Sequence, residues 1–584
     1  MCGIAGIVTR DGSAPGPAIL DRLAGALAHR GPDGGGRHVR EGVGLVQTRL
    51  AIIDLDGGRQ PILDRDGRAI VANGEIYNYR ELKSDLPGER FATGSDCELP
   101  LHLYRRYGLG FVSRLRGMYA LAIDDPLENR VVLARDPFGI KPLYVCEGPF
   151  GLAFASEPQA LVASGLAEAR VNPAALVQHL QLQFGTGGET IFAGIRRVAP
   201  GETLVVERGR VIDSRHLSAL PGGGVEPGDA ESLLYQLDSV LMESVDLHQR
   251  SDVPYGMFLS GGIDSSVVLA MMARLNPRPV LAFTAGFPGT GVHDERGHAR
   301  ALAQAVGARH VEVEFGERDF WELLPAVAAA MDDPAADYAC LPTFKLARMA
   351  RREVKVILSG EGGDEVFGGY GRYRTAMRPW PLGKPMRRHG TFHDHDIVRI
   401  PLDGWRDGLA AAERAEDVAG RSRLQVAQAV DCADWLPNDL LVKADRCLMA
   451  NGVEGRVPFL DPLVAAFAFR LPDSAKVHKG LGKWLLRRWL ERTLPAARPF
   501  ERKRGFTVPV AEWIAARPEI GELVARQTLM AEIGKPGAVE HLFRHCDKRT
   551  GFACWTLLFL ALWHQRHILG HKTEGDAFDA LATR

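Results

Sequence analysis

The sequence of 584 residues has few cysteines, no excess of charge of either sign and no long apolar run. Its eight cysteines are scattered without a C-x-x-C pair, which argues against a disulfide framework and a zinc site. A formal net charge of −1 gives no basis for a surface that binds nucleic acid or a membrane. No apolar run reaches the about 18 residues of a transmembrane helix, and the N-terminus lacks the pattern of a secretory signal. We therefore expect a cytoplasmic protein with reduced thiols.

Length and composition predict a soluble protein of more than one domain. Hydrophobic residues make up 46% and charged residues 24%, as in ordinary soluble proteins, and 584 residues exceed the span of one hydrophobic core. A Gly/Pro-rich stretch without periodicity, residues 218–230, predicts a linker. We expect a first domain over residues 2–215, a linker over 216–230, a second domain over 231–570 and a polar, unordered tail over 571–584.

A Ser/Gly turn between a predicted strand and a predicted helix indicates a phosphate site in the second domain. The apolar run 255–259 predicts a buried strand, and residues 265–275 have helical spacing. Glycines in the turn let backbone N–H groups converge on an anion, and the helix adds its positive N-terminal end. No G-x-x-x-x-G-K-[ST] motif is present, but Asp264 lies in the turn, where a carboxylate could hold Mg²⁺ beside a polyphosphate. The alternative is an ordinary glycine-rich turn.

A second loop of the same kind follows about 100 residues later. The apolar run 356–358 predicts another buried strand, and Ser359-Gly360-Glu361 comes directly after it, with Asp364 close behind. Strands and helices alternate from 254 to 359, which predicts a parallel sheet, and ligands of such sheets lie outside the carboxyl ends of the strands. The two loops together resemble the pyrophosphate-loop ATP-binding domain of the asparagine synthetase family. Residues 441–446 and 451–461 resemble further motifs of that family, and Gly455 predicts a weakened helix in the second.

The N-terminus suggests a nucleophile. Removal of Met1 would leave Cys2 with a free α-amino group, whose pKa of about 7.7–8.0 keeps a good fraction unprotonated at neutral pH. One residue would then carry a thiol and a nearby base, as in N-terminal-nucleophile hydrolases. Taken alone, Cys2 is better explained as a small buried hydrophobe on a first strand.

Five further motifs make the first 190 residues similar to the class II glutamine amidotransferase domain. They are residues 29–33, 47–54, 71–79, 94–98 and 135–144. The resemblance implies an αββα N-terminal-nucleophile hydrolase sandwich, followed by a C-terminal parallel-sheet adenine nucleotide α-hydrolase-like domain with a helical C-terminal part. The predicted fold class is thus α/β and α+β in two domains.

The resemblance also implies roles for residues of the first domain. Cys2 would attack the glutamine carboxamide, and the Asn73 side chain and Gly74 N–H would form the oxyanion hole. Arg49 would pair with the α-carboxylate, a task that suits a guanidinium group. The remaining predicted contacts with glutamine are Leu50, Ile52, Glu75 and Asp96, of which the two acids would receive the α-ammonium group.

In the second domain the resemblance implies an ATP site at the strand ends. The predicted ATP-binding residues are Leu259, Ser260, Gly261, Gly262, Asp264, Ser265, Ser266, Ala285, Ser359 and Gly360. Asp264 and Asp364 would hold Mg²⁺, and Glu361 would stand near the reacting carboxylate. Lys483 matches the family lysine that stabilises the charge of departing pyrophosphate, although a solvated helix lysine is the alternative.

The implied reaction is that of glutamine-dependent asparagine synthetases. The first domain would release ammonia from glutamine, and the second would adenylate the aspartate β-carboxylate with Mg-ATP, so that ammonia displaces AMP. Ammonia would need an apolar passage between the sites, since amines are protonated in water at neutral pH. The expected partners are glutamine, aspartate and ATP, with a homodimer as the family's frequent assembly.

Alternatives remain open. The same chemistry could serve another carboxylate acceptor, a peptide or a cell-envelope sugar. A non-catalytic regulatory relative would have damaged ATP loops, and a β-lactam-forming synthetase would not need the set of Cys2, Arg49, Asn73 and Asp96. Residues 254–370 exclude a phosphoribosyl-transferring amidotransferase, which shares only the first domain.

Overall fold

The computed structural model describes residues 2–225, 227–378, 386–501, 507–572 and 574–582. Within these ranges, no helix is long and apolar enough to cross a membrane. Every cysteine of the sequence lies in these ranges as a free thiol, as expected from their scatter.

The N-terminal part of the chain forms two stacked antiparallel sheets with helices outside. One sheet has the order β10-β8-β9-β1-β3-β2 and the other β12-β11-β7-β6-β5-β4. The strands are β1 (Cys2–Thr9), β2 (Gly35–Arg40), β3 (Val43–Arg49), β4 (Ile62–Leu63), β5 (Ala69–Ile76), β6 (Gly117–Asp125), β7 (Arg130–Arg135), β8 (Tyr144–Gly148), β9 (Gly151–Ala155), β10 (Ile195–Arg197), β11 (Glu202–Glu207) and β12 (Arg210–His216). The helices are α1 (Pro17–Ala26), α2 (Tyr79–Ser84), α3 (Leu99–Tyr107), α4 (Pro158–Ala163) and α5 (Pro173–Leu182).

Strand β1 shows how the layers arise, because successive side chains of a strand point to opposite faces. Ala5 and Ile7 pack against the helix layer that includes Leu20 of α1. Ile4 packs into the core between the two sheets, with Val71 of β5 opposite. Helix α3 covers the outer face of the other sheet. The predicted αββα sandwich is confirmed.

The C-terminal part contains the predicted parallel sheet, in the order β15-β14-β13-β16-β17. Its strands are β13 (Tyr255–Phe258), β14 (Leu281–Gly286), β15 (Arg309–Glu314), β16 (Val356–Leu358) and β17 (Glu454–Arg456), and a small hairpin pairs β18 (Val477–His478) with β19 (Leu481–Gly482). Helices cover both faces of the sheet. Since β13 and β16 are neighbours, the two Ser-Gly loops that follow them lie side by side.

The helices of this part run from the sheet into a helical C-terminal region, as predicted. They are α6 (Ala230–His248), α7 (Ile263–Leu275), α8 (Arg296–Ala305), α9 (Glu317–Ala330), α10 (Cys340–Ala350), α11 (Gly363–Phe367), α12 (Gly371–Ala376), α13 (Asp407–Glu416), α14 (Arg423–Val430), a π-helical segment (Asp431–Leu440), α15 (Leu441–Met449), α16 (Pro462–Arg470), α17 (Asp473–Lys476), α18 (Trp484–Thr493), α19 (Val510–Ala516), α20 (Ile520–Ala525), α21 (Thr528–Ile533), α22 (Ala538–Arg544), α23 (Gly551–His567) and α24 (Ala577–Ala582).

The weakened helix predicted around Gly455 is wrong, because this residue lies in strand β17. Gly455 pairs in parallel with Ile357 of β16, so β17 extends the sheet at its edge. A Cβ atom at Gly455 would lie 2.7 Å from Leu448 Cδ1 of α15. Glycine here allows the strand to approach that helix closely, a tertiary contact that local propensity does not reveal.

The tail is not unordered in its described part, 571–572 and 574–582. Phe578 packs on Trp321 of α9, with ring centroids 4.9 Å apart, and Ala580 and Leu581 are buried. The Gln527 side chain donates a hydrogen bond of 2.9 Å to the Leu581 carbonyl. The polar composition of the tail concealed a short apolar face that packs against α9.

The two parts of the chain share hydrophobic cores. Phe192 lies 5.6 Å, centroid to centroid, from Trp563 of α23. Phe138 and Ile140, which precede β8, belong to the same buried cluster as residues of α6 and α7. The predicted linker lies between β12 and α6, and Gln425 Nε2 donates to the Gly224 carbonyl on the outer surface of the helical region. The parts therefore pack as one body rather than as separate units.

We expect Leu581→Ala to lower the free energy of unfolding by about 2 kcal/mol, since it removes buried methyl groups and leaves a cavity. All nine tryptophans of the sequence follow residue 320, so urea denaturation followed by tryptophan fluorescence reports on this part of the chain. Leu463→Ala, at a half-exposed position of α16, is the matched control and should change stability by less than about 0.5 kcal/mol. Equal effects of the two changes would contradict the packing of the tail.

Candidate active sites

Strands of both antiparallel sheets bring the predicted glutamine residues together. Cys2 pairs in register with Arg49 at the end of β3, and the Cys2 N–H donates a hydrogen bond of 3.1 Å to Asn73 Oδ1 of β5. Gly74 and Glu75 follow on the same strand. A Cβ atom at Gly74 would lie 2.2 Å from the Met118 carbonyl oxygen, so only glycine fits there. The sequence-predicted nucleophile and oxyanion-hole residues are therefore adjacent.

Buried amide groups around Cys2 mark this place as a polar pocket. Asn73 Nδ2 is buried and finds no hydrogen-bond partner among the described residues, while the buried Gln47 side chain lies within hydrogen-bonding reach of the Cys2 thiol. Buried polar groups are almost always satisfied, so such a group beside a thiol indicates a place for a polar ligand. Gln47 was not singled out as a site residue from the sequence, although it begins one of the recognised motifs. Burial raises the pKa of the Cys2 thiol, so attack requires a base close by.

Arg49 holds the loop after β3. Its guanidinium group donates to the carbonyl oxygens of Ile53, Asp54 and Leu55, at 3.3, 2.6 and 2.9 Å. That loop also carries Leu50 and Ile52, which are both buried. The predicted pairing of Arg49 with a substrate carboxylate stays a prediction.

Two buried acids lie side by side in the pocket. Asp96 accepts a hydrogen bond of 2.6 Å from the Ile76 N–H, which fixes it beside the end of β5. Burial raises the pKa of Glu75 well above its usual value, and the neighbouring Asp96 raises it further. Burial likewise raises the pKa of Asp96. An ammonium group would relieve this repulsion, which fits the role predicted for the two acids.

The second site is a cavity of about 340 Å³ at the carboxyl ends of β13, β14 and β16. Most predicted ATP residues line it, namely Leu259, Ser260, Gly262, Asp264, Ser265, Ala285, Ser359 and Gly360, together with Glu361 and Asp364. Gly261 has φ +72°, which favours glycine, and lines the adjoining cavity instead. Ser266 lies outside both linings, since its hydroxyl donates back to the Gly262 carbonyl at 2.7 Å.

Lys483 lies between the two predicted metal ligands. Its Nζ contacts Asp264 Oδ2 and lies 2.6 Å from Asp364 Oδ1. Burial alone would lower the pKa of Lys483, but the two carboxylates raise it above its usual value and keep the ammonium charged. This set of one cation and two anions suits a phosphate chain that arrives with its own divalent ion. Mg²⁺ is commonly held by one or two carboxylates plus phosphate oxygens, so the residues present fit it.

A second ion pair on the cavity wall was not predicted. Lys443 Nζ lies 2.9 Å from Asp337 Oδ2 and 3.8 Å from Glu361 Oε1. Burial raises the pKa of the Glu361 carboxyl, while Lys443 opposes that rise. The only sequence signal for Lys443 was its place in the motif 441–446, and nothing in the sequence singled out Asp337.

Buried charges join the two sites. Arg30 Nε donates to the Cys2 carbonyl at 3.2 Å, and Nη1 donates to Glu157 at 2.7 Å and to Asp445 of α15 at 2.8 Å. Arg446 of α15 donates to Asp332 at 2.7 Å. All five side chains are almost completely buried. Helix α15 therefore lines the ATP-site cavity with Lys443 and binds, through Asp445, the same Arg30 side chain that donates to the Cys2 carbonyl.

Comparisons with known proteins agree with this geometry. The family model described as "Asparagine synthase" matches residues 236–565, and that described as "Glutamine amidotransferase domain" matches residues 1–217. The chain belongs to the asparagine synthase family. Its N-terminal part is a glutamine amidotransferase domain, and the expectation from the two loops and the N-terminal motifs is confirmed.

Relatives within the family match over almost the full length. A "Putative asparagine synthetase [glutamine-hydrolyzing]" of Mycobacterium tuberculosis is 36% identical over 97% of this chain and 97% of its own. "Asparagine synthetase [glutamine-hydrolyzing] 1" of Bacillus subtilis is 31% identical, again over 97% of both chains. A solved glutamine phosphoribosylpyrophosphate amidotransferase from B. subtilis shares 18% identity, over 53% of this chain and 65% of that chain, with a TM-score of 0.29.

We expect Asp445→Asn to destabilise this family member by about 3 kcal/mol, because it leaves the positive charge of the buried Arg30 only partly compensated. The measurement is the urea midpoint, followed by circular dichroism. Asp213→Asn breaks the exposed pair with Arg215 and should cost less than about 0.5 kcal/mol. A loss below about 1 kcal/mol for Asp445→Asn would show that the interface does not depend on this pair.

Proposed function

We propose that the protein is a glutamine-hydrolysing asparagine synthetase that uses Mg-ATP to activate the β-carboxylate of aspartate. The observation that carries this proposal is the presence, in one chain, of Cys2 beside the unpartnered Asn73 Nδ2 and of paired Ser-Gly loops around Lys483. The printed names of the full-length relatives support the same reaction. Free, scattered thiols support a cytoplasmic location.

In the first half-reaction, Cys2 Sγ attacks the glutamine carboxamide carbon after removal of Met1. The freed α-amine of Cys2 takes the thiol proton and then gives a proton to the leaving ammonia. Asn73 Nδ2 donates to the oxyanion. This role suits the group, because it has no hydrogen-bond partner among the described residues. Water then hydrolyses the thioester to glutamate, and the acidic pair Glu75 and Asp96 holds the α-ammonium group throughout.

In the second half-reaction, the aspartate β-carboxylate attacks the α-phosphorus of ATP, and pyrophosphate leaves. Asp264 and Asp364 would hold Mg²⁺, which supplies charge neutralisation at the phosphates when bound. Lys483 stabilises the negative charge of the leaving pyrophosphate. Ammonia then attacks the carbonyl of the aspartyl adenylate and displaces AMP, and the amide loses a proton to give asparagine.

The ion pair of Lys443 and Asp337 favours an amino-acid acceptor. It presents a cation and an anion on one wall of the cavity, close to Glu361. A free α-amino acid carries the complementary charges on its α-carboxylate and α-ammonium groups. A sugar carboxylate lacks the ammonium group and would leave Asp337 without that partner.

We expect Cys2→Ala to abolish glutamine-dependent asparagine formation and to leave ammonium-dependent formation within about twofold of the unchanged protein. Alanine removes the nucleophile but not the synthetase site. Glutamate, asparagine, AMP and pyrophosphate are followed by mass spectrometry, with Cys546→Ala, a half-exposed thiol away from both sites, as control. Glutamate formed without asparagine or AMP by the unchanged protein would point to another acceptor, and no glutamate would refute the Cys2 assignment.

We also expect Asp364→Asn to raise the Mg²⁺ concentration for half-maximal AMP formation roughly tenfold, because it removes one of the two carboxylates proposed to hold the ion. The assay uses ammonium, so the glutaminase site does not contribute. Glu322→Gln, which breaks an exposed pair with Arg318, should leave that concentration unchanged. An unchanged Mg²⁺ dependence in Asp364→Asn would exclude Asp364 as a ligand.

A further inference from the structure

A residue of the synthetase domain lies in the wall of the glutamine pocket. Arg456, in the edge strand β17, is completely buried, and its Nη2 lies 3.3 Å from Glu75 Oε2 of the amidotransferase domain. Glu75 is one of the acids assigned above to the substrate's α-ammonium group. The two residues are far apart in the chain, and no sequence motif pairs them.

The guanidinium group of Arg456 is fixed on its other sides. Nε donates to Glu454 Oε1 at 2.6 Å, and Nη1 donates to the carbonyl oxygens of His248 and Arg250 at 2.9 and 2.7 Å. Three hydrogen bonds, to β17 and to the end of α6, thus fix the guanidinium group. Nη2 and Glu75 Oε2 face each other as an ion pair without hydrogen-bond geometry, so the fixed guanidinium group acts on the carboxylate through its charge.

The charges explain why Glu75 needs such a partner. Asp96 and Glu454 are both close enough to raise the pKa of Glu75, on top of the larger effect of burial. Arg456 opposes that rise and favours the ionised carboxylate. A neutral Glu75 would attract an ammonium group much less than a carboxylate does.

The backbone of Arg456 reaches the other site. Its carbonyl oxygen accepts a hydrogen bond of 2.9 Å from the N–H of Ser359, the first residue of the second ATP loop. One residue therefore contacts the ATP loop through its backbone and Glu75 through its side chain.

We propose that Arg456 is a positioning residue of the glutamine site, which holds the Glu75 carboxylate for the substrate's α-ammonium group. The glutaminase site is then complete only when the synthetase domain is docked against it. The inference rests on the proposed function, because it assigns glutamine to the pocket around Cys2. Arg456 does not touch the reacting atoms and acts through Glu75.

The test compares Arg456→Lys and Arg456→Gln with Arg116→Gln in the full-length chain. Arg116 is the matched control, because it also crosses the domain interface to an acid, Asp461 at 3.0 Å, but does not contact Glu75. Ammonium-dependent asparagine formation is measured first. A rate within about twofold of that of the unchanged protein shows that a variant folds. Glutamine hydrolysis then gives KM and kcat separately.

We expect the KM for glutamine to rise at least about tenfold in both Arg456 variants, with kcat changed less than about threefold. A carboxylate that binds the α-ammonium group contributes equally to the ground state and the transition state, so its displacement affects KM. Glu75→Gln should raise KM as well. The double variant Arg456→Lys, Glu75→Gln should have a KM close to that of Glu75→Gln alone, since Arg456 acts through Glu75. Arg116→Gln should leave both constants unchanged.

Three results would overturn the inference. An unchanged KM in the Arg456 variants, with normal hydrolysis by the unchanged protein, would refute it and leave the proposed function intact. Loss of ammonium-dependent activity in both variants would assign Arg456 to folding of the interface instead. No glutamine hydrolysis by the unchanged protein would refute the proposed function and this inference together.

Discussion

The arrangement of the two sites depends on charges buried between the amidotransferase and synthetase domains. Arg30, Glu157 and Asp445 are almost completely removed from solvent, and each would cost several kcal/mol if it were left unpaired. Hydrophobic contacts tolerate small shifts, whereas a guanidinium group with two carboxylate partners permits little displacement. The pairs therefore select one docking geometry among the many that would bury a similar apolar area. That geometry sets the position of Cys2 relative to the ATP cavity.

A single stretch of the synthetase domain, residues 441–461, makes most of these connections. It begins at α15 with Lys443 in the ATP cavity, continues with Asp445 at the interface, and reaches the glutamine pocket with Arg456 in β17. It ends at Asp461, which binds Arg116 of the amidotransferase domain. A shift of α15 or β17 would therefore be felt at both sites. Two reactions that must supply and consume one ammonia molecule in step need such a connection.

Much of the fold and part of the site follow from the sequence, because they depend on local patterns. Apolar runs that end in Ser-Gly turns placed Asp264 and Asp364 at the carboxyl ends of the parallel strands. Ligands of parallel sheets lie at those ends, and this can be applied without knowing the tertiary structure. The contact of Arg456 with Glu75 could not be found in this way, since it joins residues of different domains. The strand at Gly455 and the helix Ala577–Ala582 were missed for a related reason. Both are stabilised by a packing partner far away in the chain, which overrides local composition.

The surface path of the segment between β12 and α6 has a consequence for how the two domains stay together. This segment contacts the helical region through Pro221 and Gly224 and places Leu220 in the shared apolar core. Docking is set by the paired charges and the shared apolar clusters. A protease cut at the exposed residue Val225 would therefore leave two polypeptides that stay associated, with both sites intact. The position of Cys2 relative to the ATP cavity thus depends on contacts across the interface more than on the covalent connection.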